Sequence, residues 1–126
     1  MAAITLTTVE YAKRDGHRLY HLIGTSAANS ADTLTGTVPG GRALKLASTS
    51  TTYSGSPTQA GVTTTINSVN GAGYDTLLNT STANGKYNVY SPSSDIWVVP
   101  GDSVDVAAPA GGSGQTAAIV IILEEA

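Results

Sequence analysis

The sequence predicts an all-β fold, an antiparallel two-sheet sandwich of jelly-roll-like character with eight or nine short strands. Three observations lead there. Thr and Ser together make up about a quarter of the 126 residues, a composition that favours strands and turns. Charged residues are only 12% of the chain, and good helix formers such as Glu, Lys, Gln and Met are scarce. Short apolar or β-branched runs are separated by Gly, Pro, Asn and Asp, and no segment sustains a helical period. The length fits a single domain spanning residues 1–126, enough to bury roughly two-thirds of the unfolded surface around one core.

The first strand is expected over Ile4 to Tyr11, with Ile4 and Leu6 on one face. Asp15-Gly16 is a tight-turn pair leading into His17 to Ile23, so the N-terminal part, residues 1–32, reads as a hairpin or docking arm. A polar loop around residues 25–32 precedes Thr33 to Val38, which Pro39-Gly40-Gly41 ends. Ala43 to Ser48 follows, with Leu44 and Leu46 pointing the same way. Tyr53-Ser54-Gly55-Ser56-Pro57 is a loop by composition. Val62 to Ser68 presents Val62, Thr64 and Ile66 on one face and closes at Asn70-Gly71. Tyr74 to Asn79 is open between a strand and a helical turn. After Asn84-Gly85 come Tyr87 to Tyr90, Ile96 to Val99, Ser103 to Ala107 and the closing Thr116 to Leu123.

Val38-Pro39-Gly40-Gly41 and Val99-Pro100-Gly101-Asp102 share a turn signature. The strands that follow differ in parity, Leu44 and Leu46 against Val104 and Val106, and a slip of one residue reverses the buried face. These are two similar turns, not a duplication.

Composition narrows the function. The net charge is −3 with six scattered basic residues, whereas phosphate neutralisation needs clustered Lys and Arg, so nucleic acid is not an expected partner. There are no cysteines, hence no disulfide and no thiolate nucleophile or zinc ligand. The start, Met1-Ala2-Ala3-Ile4, does not read as a secretion signal, and the longest apolar run, Ala117 to Leu123, is too short to span a bilayer as a helix. Charge is uneven: up to residue 46 five bases against three acids leave +2, and beyond it Lys86 against six acids leaves −5. Halves of opposite sign suit docking against neighbours as well as they suit a solvated surface. Lys13, Arg14 and Arg18 crowd the Asp15-Gly16 turn and are candidate interface residues.

Chemistry-bearing constellations are weak. His17 and His21 share a strand face two pleats apart, too far for a comfortable chelate, with no thiolate or carboxylate pair beside them. Asp102 and Asp105 face opposite sides of a strand, which disfavours paired-carboxylate chemistry; Asp102 reads as shaping the turn after Gly101. Gly111-Gly112-Ser113-Gly114-Gln115-Thr116 lacks the lysine of a phosphate loop and precedes an apolar strand, so it reads as a hairpin loop. No Gly-x-Ser-x-Gly elbow occurs, and Asn79-Thr80-Ser81 matches a glycosylation sequon by chance. No catalytic, metal-binding or cofactor-binding residue is assigned.

The aromatic inventory is one Trp, six Tyr and no Phe. Ile96-Trp97-Val98-Val99 and Ile119 to Leu123 are apolar on both faces and need cover on both. Either Trp97 lies in the core with Val98 under a loop, or a second subunit supplies the cover, which makes Trp97 and Val99 candidate interface residues.

Over residues 33–126 the text resembles small auxiliary virion proteins of tailed bacteriophages, the head decoration or cement kind above all. The carriers are Tyr53-Ser54-Gly55-Ser56-Pro57-Thr58, Ile66-Asn67-Ser68, Gly73-Tyr74-Asp75-Thr76, Pro100-Gly101-Asp102-Ser103-Val104, and Ala108-Pro109-Ala110 followed by the glycine-rich loop. The resemblance implies a non-enzymatic β-sandwich, made in the host cytoplasm, that self-associates, often as a homotrimer, and clamps the major capsid protein at the capsid surface. The rival expectation is a carbohydrate- or host-receptor-binding domain of a tail fibre, with Tyr20, Tyr53, Tyr74, Tyr87, Tyr90 and Trp97 offering flat surfaces for sugars.

Overall fold

The computed structural model describes residues 2–4, 6–12 and 17–125. Its strands are β1 (Ala2–Ala3), β2 (Thr7–Ala12), β3 (Arg18–Thr25), β4 (Asp32–Thr37), β5 (Leu44–Tyr53), β6 (Thr63–Asn67), β7 (Thr76–Thr80), β8 (Tyr87–Tyr90), β9 (Trp97–Val98), β10 (Ser103–Ala108) and β11 (Ala117–Glu124). One 3-10 turn, Ala72–Tyr74, precedes β7. The segment left open over Tyr74 to Asn79 is therefore a turn followed by a strand.

Two sheets result. One has the order β1-β4-β10-β6-β7; the other runs β2-β3-β11-β5-β8, with β9 also paired to β5. Every pairing is antiparallel except β1 with β4. This is the predicted antiparallel two-sheet sandwich, and leaving aside the two-residue β1 and β9, nine strands have four residues or more.

The connectivity has a simple rule. β6 pairs with β7, β5 with β8, β4 with β10 and β3 with β11. These are nested pairs: the chain runs out through β3, β4, β5 and β6, turns at the β6–β7 hairpin, and returns through β7, β8, β10 and β11. Successive pairs fall in alternate sheets, so the sandwich is one long two-stranded ribbon rolled over on itself.

The core lies between the sheets, built from alternate residues of each: Leu34, Val104 and Val106 from one, Leu22, Leu44, Leu46, Ile119, Ile121 and Leu123 from the other. Each fully buried side chain of this kind contributes roughly 1.5–3 kcal/mol. The sheets approach closely at Gly36, where an added Cβ would stand 2.9 Å from both Ile121 Cδ1 and Leu22 Cδ1 of the opposite sheet. Polar groups also meet across the interior: the hydroxyls of Thr49 and Thr64 lie 3.1 Å apart.

Three expectations need correction. The strand expected over Ile4 to Tyr11 begins only at Thr7, as β2; Ile4 instead follows β1 beside the other sheet, its N–H donating to the Thr33 carbonyl at 3.0 Å, and Ile4 and Leu6 pack on the core. Their shared apolar face fills the crossing between sheets and does not lie along one strand. Tyr53 is not in a loop but ends β5, fully buried, its hydroxyl donating to the Pro109 carbonyl at 2.7 Å. The glycine-rich stretch is not a hairpin loop, because β10 and β11 belong to different sheets. Of the two alternatives for Ile96 to Val99, the core reading of Trp97 does not hold: Val98 is 0% exposed and Trp97 46%, since β9 is an edge strand with only its inner face covered.

Candidate docking end

One end of the sandwich gathers segments distant in sequence. Strand register places there the start of β3, the ends of β4, β6 and β11, the start of β5, β9, and the start of β10. Asp102, 7% exposed, fastens the connecting loops. Its carboxylate accepts the Val69 N–H at 2.9 Å and the Val99 N–H at 3.2 Å. Its own N–H donates to the Val99 carbonyl at 3.0 Å, and its carbonyl accepts the Val38 N–H at 3.3 Å. Such charge-assisted contacts to backbone donors are among the stronger hydrogen bonds. Asp102 thus does more than shape its own turn, because it ties the β6–β7 and β4–β5 connections to it.

The neighbouring Gly101 has φ +97°, and a Cβ there would come within 2.7 Å of Val69 Cγ2. Glycine at this position satisfies the backbone and lets Val69 pack on it. Val69, Tyr74, Trp97 and Val99 consequently stand exposed around a tightly bonded turn. Every exposed large hydrophobic among the described residues lies between positions 69 and 99, the remainder being Leu77 on β7 with Tyr87 and Val89 on β8.

Charges at this end form a chain. Arg18 pairs with Glu10 across the β2–β3 hairpin, and the Arg18 N–H donates to Glu125 Oε1 at 2.8 Å. Arg42 lies 3.3 Å from Glu125, and Lys45 lies 3.3 Å from Glu124 and 3.8 Å from Asp95. Lys45 in turn is the cross-strand partner of Trp97. Exposed pairs of this kind contribute about 0–1 kcal/mol to stability; their larger effect is to leave a run of alternating charge that ends beside Trp97.

Of the residues singled out from sequence, the structure brings Arg18, Trp97 and Val99 to the same end. Lys13 and Arg14, with the Asp15-Gly16 turn, lie outside the described residues. Val69 was missed, though an apolar residue directly ahead of Asn70-Gly71 is a signal for an exposed loop-tip anchor. The proposed sugar platforms separate: Tyr20 and Tyr53 are buried, while Tyr74, Tyr87 and Trp97 are exposed. Asp102 points inward and Asp105 lies on the outer face, accepting from the Ser103 hydroxyl at 2.8 Å. His21 sits on the outer face of its sheet between Val9 and Ile122. Among the described residues no three His, Asp or Glu side chains converge as a metal site would require.

No protein-family model matches the chain, and no curated protein matches it either.

Proposed function

We propose that this chain is a non-enzymatic structural protein of a tailed-phage particle, a jelly-roll decoration or cement protein that self-associates and docks on neighbouring subunits of the major capsid protein. The observation that carries this reading is the end described above, with Val69, Tyr74, Trp97 and Val99 exposed about the Asp102 turn and a run of alternating charge that reaches Trp97 through Lys45. Exposed Trp and Tyr side chains are what protein interfaces use as hot spots, with aliphatic neighbours excluding water around them, and a polar rim supplies register. The nested strand pairing supports the jelly-roll assignment, an architecture common to capsid and lectin domains. The family resemblance supplies the particle; the geometry supplies the surface that would meet it.

The test is re-addition of purified protein to particles stripped of it. Truncating an interfacial aromatic anchor costs about 2 kcal/mol or more, so Trp97→Ala combined with Val99→Ser should bind at least about tenfold more weakly while melting like the wild type. Undiminished binding by that variant would overturn the assignment of this end as the docking surface. A second reading, sugar recognition on a host surface, is favoured by one feature away from this end, argued next.

A further inference from the structure

We infer that the cleft between β7 and β8 is a binding site for a neutral saccharide. The cleft measures about 300 Å³ and is walled by the end of β7, the loop after it and the outer part of β8. That volume lies at the low end of small-ligand sites, roughly 300–1,000 Å³, and suits a short carbohydrate. It stands at the far end of β5 from the docking surface: Trp97 pairs with Lys45, whereas Tyr87 pairs with Thr52. The inference therefore does not rest on the proposed docking role.

The chemistry of the lining selects the ligand class. No Asp, Glu, Arg or His lines the cleft, so nothing there would compensate a cation on desolvation, and the charge beside it, the Lys86 ammonium, stands outside the lining over the Tyr87 ring. What it offers are neutral donors and acceptors. Asn79 is half-buried at the wall, and neither its side-chain amide nor the Thr80 and Thr82 hydroxyls hydrogen-bond to another described residue. A partly buried amide with open hydrogen-bonding capacity takes a partner from whatever fills the cleft. Tyr87, 70% exposed, adds an aromatic ring on the rim. The Lys86 ammonium lies over that ring, 5.2 Å from its centroid. One apolar aromatic face beside amides and hydroxyls matches the two-sided character of a pyranose, which is C–H on its faces and O–H around its edge.

The walls are held before any ligand arrives. Asn88 Nδ2 donates to the Gly85 carbonyl at 2.9 Å. The Asn84 side chain accepts the Gln59 N–H at 2.8 Å, and the Ser81 hydroxyl accepts the Val62 N–H at 2.8 Å. The loop joining the two strands is thus pinned to the body of the sandwich, which lowers the entropic cost of binding.

The test is titration of the isotope-labelled full chain, followed by amide NMR, with glucose, galactose, mannose and N-acetylglucosamine. Neutral tetrasaccharides form a second arm and glucose 6-phosphate a charged control. Saturable shifts confined to residues around 79–89, at millimolar concentration, are expected, and both Asn79→Ala and Tyr87→Ala should weaken binding by about three- to tenfold. Saturation by the monosaccharides alone supports a free sugar as ligand; preference for the tetrasaccharides supports a glycan chain. No saturable shift with any neutral sugar, shifts that persist in both variants, or a stronger response to glucose 6-phosphate would each overturn the inference. None of these outcomes bears on the capsid-docking test, which addresses the opposite end.

Discussion

Tyr53 joins a long side chain, a full burial and a single hydrogen bond, and each has a measurable consequence. Its ring closes the core beneath the loop after β10, where a Cβ on Gly111 would come within 2.6 Å of Tyr53 Cδ1. Burial raises its pKa above the ordinary 10.0 by desolvating the phenolate. The folded state therefore keeps the proton when the unfolded state has released it. The stability that Tyr53 contributes is fully present below pH 10.0 and is lost as pH climbs from there through the raised native value. Tyr53→Phe removes both the titration and the bond to Pro109, and should cost about 1 kcal/mol near neutrality. Denaturation from about pH 8 to pH 11 should then show wild-type stability converging on that of the variant at the alkaline end. Curves that stay parallel throughout would mean that Tyr53 ionises as freely in the folded protein as in the unfolded one.

At the scale of a strand, parity decides which residues reach the core, and β5 changes parity once. Leu44 and Leu46 face inward, then Thr49, Thr51 and Tyr53 do, with Ala47 the extra residue. Opposite it the register jumps, so that Ile122 faces Ser48 while Leu123 faces Leu46. This β-bulge explains what the sequence concealed. The alternation of Leu44 and Leu46 is plain, but a reader following it past Ser48 meets Ser and Thr out of phase and stops the strand early, which is how Tyr53 falls into a loop. Strands whose alternation is not interrupted by a bulge, such as the one bearing Val104 and Val106, are legible from residue types alone. The docking end was half legible: Trp97 and Val99 announce themselves as apolar excess. Val69 joins them through the Asp102 carboxylate and by packing on Gly101, contacts between residues too far apart for any local pattern to reveal. A prediction follows from the bulge. Deleting Ala47 leaves strict alternation from Leu44 to Tyr53 and should cost no more than about 1–2 kcal/mol. Inserting one Ala between Thr49 and Ser50 forces Tyr53 outward or demands a second bulge, and should cost about 3–5 kcal/mol, as losing a large aromatic from a core does. Equal losses in urea denaturation would show that Ala47 does not set the parity.

Across the whole molecule the two outer faces differ, and the difference bears on self-association. The outer face of the first sheet carries Thr33, Thr35 and Thr37 on β4 and Thr63 and Thr65 on β6, flanking Asp105 and Ala107 on β10. The outer face of the second has an apolar centre. Val120 lies between Ile23 and Ser50, and Ile122 between His21 and Ser48. These side chains are only partly covered within one chain. A threonine-coated sheet is content in water; a strip of Ile and Val at the middle of a sheet gains by being covered, at about 25 cal/mol for each Å² removed from water. Identical chains cover such a strip economically in a closed ring, where no copy leaves its strip exposed. If copies of this chain meet there, sedimentation equilibrium at micromolar concentration should return a trimer for the wild type. Val120→Lys with Ile122→Glu should return a monomer of unchanged melting temperature, because both side chains point away from the core. A monomeric wild type would remove self-association from the proposed function and leave the docking end untouched. A variant that stays trimeric would move the contact elsewhere, and Trp97→Ala would then be the next substitution to sediment.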